Sequence, residues 1–348
     1  MGERFVPEEI VNSTIQEGRT EIPKEKLEQK RYVAPNELWI KDTHLRKPVI
    51  PPKPDETLPR KGADGLIKTS YLDLLRDGAV ELTDNRWRID SLLSEEEGVY
   101  GKVYRAFDTK LKIPVALKVG RHIDGTFEIE REAKAMANIN HPGVIKIYDF
   151  TIQNAPDGRG LPIIVEEYMD PNEAPTLFNK LKKEGKLGAS DIRKVIAELS
   201  ETVDYLYFDK GILHNDLKPA NIFLDRRFTK IGDFGISNSA NKNGGGTRAY
   251  NAPERKFPRT KNTLQGEVFS LGIIAYEMLT NAIPLNDNFD AEYKSEYLET
   301  PEMERKYGKE RLERSRDVLI KALSIKPEDR YQTATEFAQA LEEALKED

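Results

Sequence analysis

The segment His214-Asn215-Asp216-Leu-Lys218-Pro-Ala-Asn221, followed by Asp233-Phe-Gly235, gathers residue types that phosphoryl transfer requires. That reaction needs a phosphate cradle, a cation on the phosphates, oxygen ligands for a metal ion and a group that orients the attacking hydroxyl. Asp216 can accept a hydroxyl proton or orient the nucleophile, and Lys218 can neutralise the transferring group. Asn221 and Asp233 are oxygen ligands of the kind Mg2+ prefers. Upstream, Glu96-Glu-Gly98-Val-Tyr-Gly101-Lys-Val103 carries glycines whose backbone N–H groups can approach a phosphate closely. Such a loop alone is a weak signal. Lys118 lies in the apolar run Val115-Ala-Leu-Lys118, where an ammonium is costly unless paired. Its natural partner is a carboxylate on the next helix, and Glu128, Glu130 and Glu132 all qualify.

These residues need elements to hold them. Val103-Tyr-Arg-Ala106 and Val115 to Val119 are β-rich runs separated by a turn. Thr126 to Asn138 is charged and alanine-rich, predicting a helix, and Val144 to Phe150 and Ile163 to Tyr168 read as further strands. From about Asp170 helices dominate. Ser190 is placed to cap a run with Ile192, Val195, Ile196, Leu199, Val203 and Leu206 on one face, ended by Gly211. Glu267 to Thr280 is apolar nearly all round and predicts a buried central helix. The last helix runs from about Thr333. A β-rich half followed by a helical half is an α+β arrangement with a cleft between them.

Residues 1–86 differ. Pro7, Pro23, Pro35, Pro48, Pro51, Pro52, Pro54 and Pro59 interrupt any long helix, and Pro48 to Pro54 favours polyproline II. Thr69 to Leu75 reads as one short helix. A flexible tail and a strap packed on the folded domain both fit, the latter because Trp39, Ile40, Leu45 and Ile50 are more apolar than a solvated linker requires.

Composition narrows the function classes. A net charge of −6 argues against a general nucleic-acid binder. The sequence has no cysteine, which excludes disulfides and thiolate sites and points to a reducing, cytoplasmic setting. The longest apolar candidate, Phe269 to Leu279, is too short for a membrane span.

Residues 87–348 resemble the protein kinase superfamily, most closely the Ser/Thr kinases of the bacterial and eukaryotic kind. Beyond the motifs above, Gly246-Thr247-Arg-Ala-Tyr250-Asn-Ala252-Pro253-Glu254 looks like the family's substrate loop, and Arg330 looks like the arginine that pairs with Glu254. The resemblance implies a bilobal fold, with a small β-rich N-lobe over 87–169, a larger helical C-lobe over 170–348 and a proline-rich N-terminal extension. It implies ATP and Mg2+ as cofactors and a protein substrate carrying Ser or Thr. It selects Glu132 as the partner of Lys118. It places Gly98, Gly101, Val103, Ala116, Lys118, Phe223 and the backbone of Glu167 to Met169 around the nucleotide, and Met136, Ile147, His214 and Phe234 in an internal spine.

Four positions depart from the family pattern. Glu96 stands at the first loop glycine. Glu166 stands at the back of the ATP pocket, where it can hydrogen-bond adenine or compete with Glu132 for Lys118. Glu267 replaces the aspartate that holds the catalytic-loop backbone. Asn215 replaces an arginine that receives an activation-loop phosphate, so independence from such phosphorylation is expected, with control through a partner of residues 1–86. Two other readings remain: a small-molecule kinase of the aminoglycoside or choline type, whose motif His-Asn-Asp approaches, and a nucleotide-binding pseudokinase scaffold. Lys118, Asp216 and Asp233 argue against the scaffold, and the Glu254 and Arg330 platform argues against the small-molecule enzyme.

Overall fold

A computed structural model of the chain describes residues 86–98, 101–119, 133, 136–154, 160–234, 247–256, 262–284 and 300–347. The expectations for residues 1–85, for Glu128, Glu130 and Glu132, and for Gly235 to Gly246 lie outside the described residues.

Five strands form one antiparallel sheet in the order β1-β2-β3-β5-β4: β1 Trp87–Gly98, β2 Gly101–Asp108, β3 Ile113–Val119, β4 Ile147–Asn154 and β5 Gly160–Glu167. Alternation along the strands sorts the side chains into two faces. Tyr104, Val115, Leu117, Val119, Ile163 and Val165 join Trp87 and Ala106 in a dry core. The residues between them, Val103, Ala116, Lys118, Ile164 and Glu166, are cross-strand neighbours on the opposite face. A one-residue slip would exchange these faces, so core burial and the chemistry of the cleft fix the same register.

The sheet is tied at its start by Asp108, which is fully buried. Its Oδ2 accepts from Arg86 Nε and Trp87 Nε1, each at 3.0 Å, and its Oδ1 accepts from the N–H groups of Lys110 and Leu111, each at 2.8 Å. Burial alone would raise this carboxyl, but those backbone and arginine donors hold it below the usual carboxylate range. A buried charge is tolerated here because each oxygen is satisfied.

The helical half contains α1 Leu177–Glu184, α2 Ala189–Lys210, α3 Leu264–Thr280, α4 Pro301–Tyr307, α5 Lys309–Ala322 and α6 Ala334–Ala344, with a two-stranded ribbon of β6 Ile222–Leu224 and β7 Thr229–Ile231. Helix α2 buries the face expected from its spacing and ends at Gly211, whose φ of 66° is the left-handed conformation glycine adopts without a Cβ penalty. Ser190 is not its cap. The helix begins at Ala189 after Gly188, two residues earlier than a Ser190 cap would set it, because buried Leu187 donates its N–H to Met278 O at 2.9 Å and fixes the entry of the chain. Helix α3 is buried on nearly every side and starts at Leu264, three residues ahead of Glu267, where Thr263 Oγ1 accepts from Gly266 N at 3.2 Å. Thr333 caps α6 in the same way at 3.0 Å. Asp204 of α2 adds a second cap, accepting from Ala334 N and Thr335 N at 2.9 Å each. The main core joins α2, α3, α5 and α6 to Met136, Ile147, Ile164 and Phe234.

Candidate active site

The catalytic-loop candidates are held from below. Glu267, buried in the first turn of α3, accepts through Oε1 from Asn215 N at 2.8 Å and from Arg255 Nη2 at 2.8 Å. The longer side chain therefore still reaches the loop backbone, and Arg255 neutralises its charge. Arg255 follows Glu254 in the short turn Pro253–Lys256 and lies over Gly266, where a Cβ would meet its guanidinium at 3.0 Å. Asn215 has φ 65° and Asp233 φ 53°, left-handed values that Asn and Asp tolerate better than most residues. Asn215 further donates through Nδ2 to Leu213 O at 3.0 Å.

Above this base the polar groups converge. Lys218 Nζ lies 3.0 Å from Asp216 Oδ2. Asn221 donates through Nδ2 to Asp216 O at 2.9 Å and to Asp216 Oδ2 at 3.2 Å, which turns its amide oxygen the other way as an acceptor. His214 is buried; its Nδ1 accepts from Asp216 N at 3.2 Å, so the proton sits on Nε2, which donates to Gly232 O at 2.9 Å. Burial keeps this imidazole neutral by lowering its pKa. Its ring lies 4.6 Å from that of Phe234. Met136, Ile147 and Phe234, expected in one spine, all fall in the main core.

From the sheet, Lys118 reaches down to pair with Asp233 Oδ1. The lysine side chain is 8 % exposed and the aspartate 41 %. The Lys118 ammonium is the first cause holding the Asp233 carboxyl below its usual range. Glu166 stands beside both. Burial raises its carboxyl to about 7, which Lys118 opposes and Asp233 reinforces. Ala116 is its cross-strand partner, and Val103 is the partner of Lys118 on β2, so both line this face. Gly98 and Gly101 pair at the end of β1 and β2. Phe223 lies in β6 opposite Lys230 of β7. Glu167 ends β5 with its carboxylate on Lys230 Nζ at 2.7 and 2.8 Å, and Met169 follows two residues on. The structure thus pairs Lys118 with Asp233 and sets Lys218 and Asn221 on Asp216, and the two groups meet where Gly232 N, beside Asp233, donates to Asn221 O at 2.9 Å; Glu132 lies outside the described residues.

A second constellation lies in the helical half. Arg330 donates to both oxygens of Glu254 at 2.8 and 2.7 Å, to Gln265 O at 3.0 Å, to Ile325 O at 2.9 Å and to Ser324 O at 2.7 Å. Its side chain is wholly buried against Phe269. All five guanidinium N–H groups are used, as a desolvated cation requires. Tyr250, in the turn Thr247–Tyr250, donates to Glu277 Oε2 at 2.7 Å, and Ser270 Oγ donates to Tyr250 O at 2.8 Å. These contacts tie the Tyr250 to Glu254 segment to α3.

Arg255 and Lys230 were not anticipated from the sequence. Lys230, between buried Thr229 and Ile231, shares with Lys118 the pattern of a cation among buried neighbours, whereas Arg255, between Glu254 and Lys256, has no such pattern in the sequence.

A family model described as the protein kinase domain matches residues 96–344. Serine/threonine-protein kinase PknB of Mycobacterium tuberculosis is 32 % identical over 256 residues, covering 69 % of this chain and 40 % of that protein. A probable serine/threonine-protein kinase PknB of Bifidobacterium longum is 28 % identical over 278 residues, covering 74 % and 39 %. The chain spans about two-fifths of the length of these curated relatives. Among solved structures, the PknI kinase domain of Mycobacterium tuberculosis superposes with a TM-score of 0.58 at 21 % identity, covering 77 % of this chain and 98 % of that one, a likeness of fold.

Proposed function

Since this chain belongs to the protein kinase family, we propose that it is a serine/threonine protein kinase, transferring the γ-phosphoryl group of ATP to protein hydroxyls. The carrying observation is the convergence of Lys118 and Asp233 from above with Asp216, Lys218 and Asn221 from below.

The donor set fits a divalent metal ion. Asp233 presents a partly exposed carboxylate, and Asn221 turns its amide oxygen away from Asp216. These are hard oxygen ligands on two different strands or turns, suited to Mg2+. Such an ion would neutralise phosphate charge. The chain's own residues do the rest. Asp216 orients the substrate hydroxyl and accepts its proton. Lys218, already beside that carboxylate, balances charge on the transferring group. Lys118 places its ammonium on the nucleotide phosphates, with Glu132 as its proposed partner. Val103, Ala116 and Phe223 enclose the base, the Glu167 to Met169 backbone reads its edge, and Gly98 and Gly101 bring N–H groups to the phosphates.

A protein rather than a small molecule as acceptor is supported by the Glu254–Arg330 anchor, which ties a segment beside the cleft to the helical core. Independence from activation-loop phosphorylation is supported by two features. Asn215 is neutral, and the nearby guanidinium of Arg255 is already neutralised by Glu267, so neither offers a charge-assisted phosphate contact. Control would then come from residues 1–86 or a partner bound there.

The test is phosphate transfer from ATP to a generic protein substrate with Mg2+. Asp216→Asn should lose ~10²–10⁴ in turnover while still binding nucleotide. Turnover near wild type in that variant would remove Asp216 from the assignment. Ser237 and Ser239 are the hydroxyl residues between Gly235 and Gly246, so phosphatase-treated Ser237→Ala/Ser239→Ala protein should keep activity within a few-fold of the untreated wild type, and an inactive double variant would refute the independence.

A further inference from the structure

We infer that Lys230 is a positioning residue for the nucleotide-reading edge of the cleft: its ion pair with Glu167 locks the end of β5 to the ribbon that delivers Asp233. The inference deepens the kinase reading and rests on it.

Lys230 sits mid-way along β7, and its Nζ reaches both oxygens of Glu167, at 2.8 and 2.7 Å. The two side chains are 16 % and 26 % exposed, so solvent screens this pair less than an open surface bridge. Glu167 is the last residue of β5, where the chain leaves the sheet for the helical half. Its N–H donates to Lys146 O at 2.8 Å, and its Oε2 accepts from Lys146 N at 3.3 Å.

The same segment is bound to β7. Ile145 N donates to Ile231 O at 3.0 Å, and Ile231 N donates to Gly143 O at 2.8 Å. Gly232 comes so close that a Cβ there would meet Ile145 Cδ1 at 2.5 Å. A closed ring results, running from β7 through residues 143–146 to Glu167 and back through Lys230. Three proposed parts of the nucleotide site leave this ring. The backbone that reads the base edge begins at Glu167. Phe223, under the base, is the register partner of Lys230. Asp233 follows β7 after Gly232 alone.

Most links of the ring are main-chain hydrogen bonds, which tolerate any side chain. Apart from the close approach at Gly232, the Lys230–Glu167 pair is the link that depends on residue identity. Among the described residues, removing Lys230 leaves the Glu167 carboxylate its long bond to Lys146 N at 3.3 Å, and the β5 end is then free to shift against the ribbon. Neither side chain touches the reacting groups, so the effect belongs in nucleotide binding rather than in transfer.

The experiment measures ATP affinity by direct titration, beside steady-state kinetics in both substrates. Lys230→Met should raise the ATP Kd and KM about tenfold, with kcat at saturating ATP and the KM for protein substrate within about twofold. Lys230→Arg should restore ATP affinity. The exchange variant Lys230→Glu/Glu167→Lys should recover most of what either single change loses. Unchanged ATP affinity in Lys230→Met would overturn the inference, as would a lowered melting temperature with no split between the two KM values. A wild-type protein that transfers phosphate normally makes that failure specific to Lys230; one that binds no ATP overturns the kinase reading itself.

Discussion

Arg330 and Lys118 are both buried cations facing a carboxylate, yet they are held in different ways. Arg330 spends every N–H on fixed acceptors, and its partner Glu254 is 13 % exposed. Burial alone would raise the Glu254 carboxyl, but the Arg330 hydrogen bonds more than offset that and hold it below the usual range. The partner of Lys118, Asp233, is 41 % exposed and opens to the cleft. One pair is sealed and can only stabilise. The other keeps a carboxylate accessible, which a group that must meet a metal ion and phosphates needs. Closure of the second partner, more than burial of the cation, separates an anchor from chemistry here.

The largest effect that sharpens this contrast is on stability. Arg330→Ala should cost ~3–5 kcal/mol, because Glu254 is left as an uncompensated buried charge. Denaturant unfolding measures it, and a loss below about 1 kcal/mol would mean the anchor is no different from a surface bridge. Lys118→Met should show the reverse profile. Its unfolding free energy should stay within ~1 kcal/mol, since Asp233 can rehydrate. Its turnover should fall ~10²–10³-fold through loss of a donor to the reacting phosphates. A large stability loss would show that the cleft pair is an anchor as well.

The smallest effect is a pH dependence. The Glu166 carboxyl is raised to about 7 in the folded protein, against an ordinary value of 4.5. An acid raised on folding binds more protons folded than unfolded. Its contribution to stability is complete below about 4.5 and is lost as pH rises through about 7. Nucleotide-free and metal-free protein should therefore lose some thermal stability between pH 5 and 8 on this account, and Glu166→Gln should flatten that slope. An unchanged slope would place the titration on another group.

Much of the cleft was legible because its residues announce themselves in short ordered strings. Asp216 to Asn221 and Asp233 are local motifs, and an ammonium within the apolar run Val115 to Val119 was enough to mark Lys118 as a paired cation. The Glu254–Arg330 pair, 76 positions apart, was reachable only through resemblance. Arg255 with Glu267, Lys230 with Glu167 and Asp108 with Trp87 were not read. Each joins common charged or aromatic types across 12 to 63 positions, with no periodicity to mark it. Ser190 shows the opposite error: a good capping residue in a plausible place was overruled by the hydrogen bond that fixes Leu187 on α3.

The carboxylate of Asp204 closes on the first N–H groups of α6 across 130 positions. Phe337 and Leu341 of α6 are fully buried in the same core as α2. During synthesis at about 5–20 residues per second, the face of α2 that will receive them emerges on the order of ten seconds before they do. For that interval an apolar helical surface has no native cover, and the nonlocal closure that ends it makes the helical half slow to complete.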